Sequence, residues 1–483
     1  MRTLKTFLFF GGLLLLFSCS DDDSFTTSRS NLLTFTTDTV SLDTVFSNVP
    51  TTTKTLWAFN RSGDGIRCAN IRLEHGNQTG FRVNVDGTYL GVTNGFQTNE
   101  VEVRNKDSIR IFVELTSTMS YEDMPQLIED NLLFTLESGV QQRVNLNAYT
   151  WDALQYNYVH IQNDSTLVSH KPIIIYGGLV IDSLATLTIG AGTTLYFHND
   201  AGIDVYGKLM CEGTPDANVI LRGDRIDNMF DYLPYDDVSG QWMGIYIHES
   251  SYGNVINYTD IHSTYDGIVM DSCDVEKNTL SLVSSTVHNC QGYGVRANYC
   301  QAQIMNCQIT NTQYDCLFVN GGRVSVNNTT LAQFYPFDSN RGVALRFSAK
   351  EFPLESFSCH NSLITGFSDD EMMGEPHDNM AFNYHFNHCI IRTPTITTDD
   401  SVNFKYVIFE DIEDTTMYGR KHFAKIDHGK QKYDFHLDSI SPAIDKADAT
   451  SSLPLDRDGK MRDERPDVGC FERIKTNLNN KQP

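Results

Sequence analysis

Basic residues are scarce in this chain. Over 483 residues, 37 Lys and Arg stand against 61 Asp and Glu, for a formal net charge of −24. A surface of that sign repels nucleic acid and anionic lipid headgroups, and it disfavours polyanionic ligands unless a local basic groove or a bridging cation intervenes. Metal and redox signatures are missing as well: there is no His-Glu-x-x-His, no Cys-x-x-Cys and no paired Cys/His zinc spacing. The apolar run at residues 7–17 is too short for a spanning helix, which needs about 20 residues. Apolar residues nevertheless make up 40% and charged ones 20%, which excludes a globally disordered chain and leaves room for a large core in two or three domains.

The sequence is rich in period. Leu179-Val180-Ile181, Leu187-Thr188-Ile189, Leu195-Tyr196-Phe197 and Ile203-Asp204-Val205 begin eight residues apart, with turn formers between most of them. Short apolar alternations bounded by Gly, Asn and Asp read as strands. A longer interval of 22 follows, relating Leu282, Ile304 and Val326, then Val287, Ile309 and Leu331, and also Asn289 with Asn311 and Asn298 with Asn320. A fixed period of this length predicts a solenoid, and strand triplets make it a parallel β-helix over residues 151–440. Each coil then supplies three short strands whose inward Val, Ile, Leu and Cys stack on the coil above. Cys290, Cys307, Cys316 and Cys389 read as small buried residues of that ladder.

Two segments resemble known families. "PIIIYGGLVIDSLATLTIGAGTTLYFHNDAGIDVYGKLMCEGTPDANVILRGDR" (residues 172–225) is similar to the opening coils of right-handed β-helix, pectin-lyase-like proteins of Bacteroidetes. "SPAIDKAD…LPLDRDGKMRDERPDVGCFE" (residues 441–472) resembles the choice-of-anchor Q ending of many such proteins. With the coils between, the resemblance covers about two thirds of the chain. It implies an all-β, right-handed parallel β-helix, a fold that hosts lyases, hydrolases and adhesins alike. Asp456, Asp458, Arg462, Arg465 and Asp467 are expected to form an ion-pair cap (residues 441–474) sealing the last coil, since a bare solenoid end exposes strand edges.

The start of the chain carries a second resemblance. Arg2 and Lys5 precede the apolar run, and Leu16-Phe17-Ser18-Cys19 resembles a bacterial lipobox. That implies a signal peptide at 1–19 and acylation of Cys19, because multiple acyl chains hold a protein on a membrane far better than one. Ser20-Asp21-Asp22-Asp23 resembles the acidic export signal of Bacteroidetes surface lipoproteins, within a tether at 20–31. The implied location is the outer membrane, lipid-anchored and facing the exterior. Residues 32–148 alternate at period two through about seven strands and predict an immunoglobulin-like β-sandwich without a Cys pair framing a Trp, a spacer or docking module similar to those of abnormal-spindle/hydin type.

Candidate ligand contacts concentrate where a long excursion interrupts the coils at residues 222–242. Asp224, Arg225, Tyr232, Tyr235, Asp236, Asp237 and Trp242 bring rings and carboxylates together, as sugars require, on a loop held by a rigid scaffold. The acidic insertion with Asp369, Asp370, Glu371, Glu375, His377 and Asp378 offers oxygen ligands for Ca²⁺, without the spacing of a calcium loop; no other cofactor is expected. The resembled lyases need basic groups beside a uronate carboxylate, and Lys277, Arg296, Arg323, Arg341, Arg346 and Lys350 are sparse for that purpose. The paired-Asp and Gly-His-Gly signatures of polygalacturonases are absent. The first expectation is therefore a non-catalytic surface lipoprotein binding a glycan or a protein partner. The alternative is a glycan-cleaving hydrolase or lyase, with carboxylate pairs such as Asp204 and Asp236, or Asp266 and Asp271.

Overall fold

Strands with apolar residues at every second position must bury one face, and this chain does so in two ways. The computed structural model describes residues 24–230, 232–414 and 416–473, divided into two units. Cys19 and Asp21 to Asp23 lie outside the described residues.

The first unit comprises two five-stranded antiparallel sheets. One orders Leu33–Phe35, Lys54–Asn60, Ser108–Leu115, Phe81–Val85 and Thr88–Tyr89. The other orders Thr39–Phe46, Gln141–Trp151, Gln126–Leu136, Ile66–Leu73 and Gln97–Val103. Leu56, Val83, Ile111 and Val113 of one sheet meet Cys68, Ile71, Phe134 and Leu146 of the other in a single core. This is the expected sandwich with more strands than the sequence suggests, because Leu33–Phe35 and Thr88–Tyr89 are too short to show an alternation.

The second unit is a parallel β-helix of three ladders. The first passes through residues 179–181, Ile203–Val205, Ile245–Ile247, Ile268–Met270, Val295–Asn298, Leu317–Asn320, Leu345–Ser348 and Met372–Glu375. The second includes Val219–Gly223, Thr259–His262, Thr286–Cys290, Gln308–Thr312, Thr330–Gln333 and Leu363–Gly366. The third includes Thr186–Gly190, Lys208–Glu212, Asn278–Val283, Gln301–Met305 and Gly322–Asn327. The triplets spaced by eight are successive sides of one coil, so Ile203 returns to pair with Leu179. The interval of 22 is one full coil: Leu282, Ile304 and Val326 pair in sequence, as do Val287, Ile309 and Leu331. Their side chains form one continuous core.

Between third and second ladders the chain turns through one left-handed residue per coil. Asn306, Asn328 and Asn361 hold φ of 62°, 46° and 48° there, a region Asn tolerates better than most side chains. The C-terminal segment uses this edge. Leu453 N–H donates to Asn328 Oδ1 at 2.9 Å, Asp448 N–H to Asn361 Oδ1 at 2.8 Å, and Arg462 to Asn306 Oδ1 at 3.0 Å. Arg457 reaches Thr286 and Asn218. The expected seal over the last coil is thus a strap along the side of the stack, drawn there by the polar side chains of the turns. Before it, the hairpin Phe423–Asp427 and Lys432–Leu437 lies on the outside of the second ladder, where Phe423, Phe435 and Phe471 cover Ala332, Leu363 and Ile390.

Candidate functional site

The first ladder presents an outward row in strict register: Asp204, Tyr246, Val269, Arg296, Phe318, Arg346 and Met373. Period-two alternation sends their neighbours inward. At its early coils the row opens into a pocket of about 330 Å³ lined by Asp200, Asp204, Met243, Tyr246, Tyr265 and Asp266. Tyr246 and Tyr265 are 38% and 40% exposed, large rings available to a ligand. Asp204 lies 2.9 Å from His248, which stacks on Tyr206 at 3.8 Å between centroids. Tyr246 donates its hydroxyl to Asp271 at 2.7 Å. Burial raises the Asp266 carboxyl above its ordinary range, although it accepts the Tyr293 N–H at 2.7 Å. Further along, Arg296 lies over Tyr293 and Phe318, which closes that flank.

The second ladder carries a different constellation. Asp260 and His262 share one side of their strand, and His262 pairs with His288 one coil later. The two imidazoles stack at 4.8 Å. Asp260 Oδ1 lies 2.9 Å from His262 Nδ1 and 3.2 Å from His288 Nε2. On its other side His262 Nε2 meets Asp236 Oδ1 at 2.7 Å, and Arg222 holds the same oxygen at 2.7 Å. Burial alone would lower the His262 pKa, but Asp260 and Asp236 hold it up to about 9. Asp236 in turn is drawn down to about 2 against its own burial, by the hydrogen bond and charge of His262 and by Arg222. Adjacent Asp237 moves the other way, because burial pushes its carboxyl up.

Asp237 and His288 belong to a cleft of about 540 Å³. Asn289, Gln308 and Asn311 continue its floor, and Lys425, Lys432, Tyr433, Asp434 and His436 of the hairpin form the opposite wall. The Asn311 side-chain oxygen is buried there without a hydrogen-bond partner.

The excursion at residues 222–242 is thereby divided. Asp237 lines the cleft, while Asp236 is held by His262 and Arg222. Asp224 accepts from His198 at 2.7 Å, and Arg225 pairs with Asp227 at 2.7 Å while lying 3.8 Å over the Tyr235 ring. Tyr232 stacks with Phe230 on an exposed hairpin tip. Trp242 is not a surface contact: it is wholly buried, stacked on Phe197 at 4.3 Å, and donates its indole N–H to the His262 carbonyl at 2.8 Å. The acidic insertion does not form an oxygen cage either. Asp369 faces Arg392, Asp370 accepts from Thr393, Glu371 turns inward, and Glu375 takes Arg346 and Lys350. Both expected carboxylate pairs are divided: Asp204 and Asp266 share a pocket, whereas Asp236 belongs to the His262 cluster and Asp271 accepts from the Tyr246 hydroxyl.

The Asp260, His262 and His288 group escapes sequence reading because its coil is 26 residues long rather than 22. The one available signal is Asp-x-His followed by a second His a coil later.

The family model for a right-handed β-helix region matches residues 157–331. No curated protein matches. Among solved structures, the catalytic unit of the thermostable GH87 α-1,3-glucanase from Streptomyces thermodiastaticus strain HF3-3 is 11% identical with a TM-score of 0.27, over 73% of this chain and 88% of that one. A family 123 glycoside hydrolase from Clostridium perfringens is 6% identical with a TM-score of 0.17, over 25% of this chain; the match spans 26% of that hydrolase's own length. The family match and the ladder registers agree that the second unit is a right-handed parallel β-helix.

Proposed function

We propose that this chain is a surface lipoprotein, anchored through Cys19, whose β-helix binds an extended uncharged glycan along the first ladder. The observation that carries the reading is the pocket in which Tyr246 and Tyr265 stand beside Asp200, Asp204 and Asp266, with no Lys or Arg among the described residues lining it. Rings stack on the apolar faces of sugars, and carboxylates accept their hydroxyls. Coils stacked about 4.8 Å apart repeat such contacts along a chain ligand. An acidic lining without Lys or Arg disfavours uronate polymers.

The test is titration of the protein against matched neutral and uronic-acid polysaccharides. Tyr246→Ala and Asp204→Asn should each weaken binding of a neutral polymer at least about tenfold with little change in the thermal midpoint, since both side chains are partly exposed. Equal or tighter binding of the uronate polymers would sink the proposal. A second reading, hydrolysis, is favoured by one feature: the half-buried Asp266, its carboxyl raised, shares the pocket with two other carboxylates, as an acid beside a base or nucleophile. Release of reducing ends that Asp266→Asn abolishes would establish it, and binding without product release would leave the first reading in place.

A further inference from the structure

We propose that Asp260, His262 and His288 bind a divalent first-row transition ion such as Zn²⁺ at the edge of the cleft beneath the C-terminal hairpin. This site lies on the second ladder and does not depend on the glycan reading of the first. The ladder itself builds it: His262 and His288 are register partners on adjacent coils, and Asp260 precedes His262 by two residues on the same side of its strand. One ligand atom from each of the three lies within 4.8 Å of the others. Two atoms each about 2.1 Å from one ion are about 3.0–3.4 Å apart. The distances from Asp260 Oδ1 to His262 Nδ1 and His288 Nε2, 2.9 and 3.2 Å, are close to such edges.

The donor set selects the class of ion. Two imidazoles and a carboxylate suit Zn²⁺ and its neighbours, whereas Ca²⁺ and Mg²⁺ take all-oxygen shells. The surroundings are those of a metal-bound histidine. The far nitrogen of His262 meets the Asp236 carboxylate at 2.7 Å, and Arg222 fixes that carboxylate in place. The carboxylates of Asp236, Asp237 and Asp260 outnumber the one guanidinium beside them, so the position favours a cation. Three protein ligands leave a coordination position open, as catalytic rather than structural sites do. His288 and Asp237 line the cleft, so that position faces the cleft space.

The experiment uses the full-length chain, purified without a histidine tag and stripped with a chelator, then titrated calorimetrically with Zn²⁺, Ca²⁺ and Mg²⁺. We expect one Zn²⁺ per chain with a dissociation constant in the micromolar range or below, and Ca²⁺ and Mg²⁺ at least about a hundredfold weaker. His288→Ala, which alters a partly exposed side chain, should weaken Zn²⁺ binding at least about a hundredfold. Asp236→Asn should weaken it about 10–100-fold, with circular dichroism unchanged in both. Co²⁺ substitution separates the site from the protein's free cysteines: a visible spectrum without a thiolate charge-transfer band is expected. Failure of the wild-type chain to bind an equivalent of Zn²⁺, unaltered binding by His288→Ala, or a thiolate band in the Co²⁺ spectrum would each overturn the proposal.

Discussion

Glu371 is fully buried beneath the coil that carries Ala344. Its two oxygens accept the backbone N–H groups of Ala344 and Ser368 at 3.0 and 2.7 Å. Burial outweighs these bonds and pushes the carboxyl up to about 8 from an ordinary 4.5. The folded chain then keeps a proton that the unfolded chain releases. The stabilisation from this group is fully present below about pH 4.5 and is gone once pH has risen past about 8. Glu371→Gln should abolish this share of the pH dependence. Its stability will also start lower by about 1–3 kcal/mol, because an amide nitrogen must face one of the two N–H donors. Thermal midpoints of both proteins from pH 5 to 9 check this: the difference between them should shrink as pH rises, and a constant difference would refute it.

At the scale of elements, the strap is held by a buried pair. Arg462 meets Glu472 at 3.2 Å with both side chains almost wholly covered, and it also donates to the Gly469 carbonyl. Arg462→Met leaves the Glu472 carboxylate buried without its partner and should cost about 3–5 kcal/mol. Limited proteolysis should then cut within residues 448–470 before any coil is cut; first cleavage in the coils would show that the strap does not depend on this pair. The strap was legible in the sequence as a dense run of Asp and Arg, but its course was not. Its partners are Asn306, Asn328 and Asn361, side chains of turns far away in sequence. The coils from Leu282 to Leu331 were readable because no insertion disturbs their interval. Trp242 misled for the opposite reason: its acidic, aromatic surroundings suggest a surface loop, while its bridge to Thr264 buries it. The cleft joins Asp237, His288 and the 423–437 hairpin, three separate stretches that no local pattern relates.

At the scale of the whole molecule, a net charge of −24 gives a chain that anionic membrane surfaces repel. In the surface lipoprotein we propose, acylation of Cys19 rather than surface charge would hold the protein at a membrane. Cys19→Ala should move the protein from membrane to soluble periplasmic fractions, and unchanged fractionation would remove Cys19 as the anchor. The strap adds a matter of timing. Asn218, Thr286, Asn306, Asn328 and Asn361 all precede the segment that clasps them. A chain that emerges N-terminus first delivers its coils one by one, with the polar edges of these turns unmet until residues 448–470 arrive. Until then the stack is free to lose coils singly from its growing end, as arrays bound only by nearest neighbours do. Closure of the clasp ties coils from residue 218 to residue 361 together, so that afterwards they must open as one.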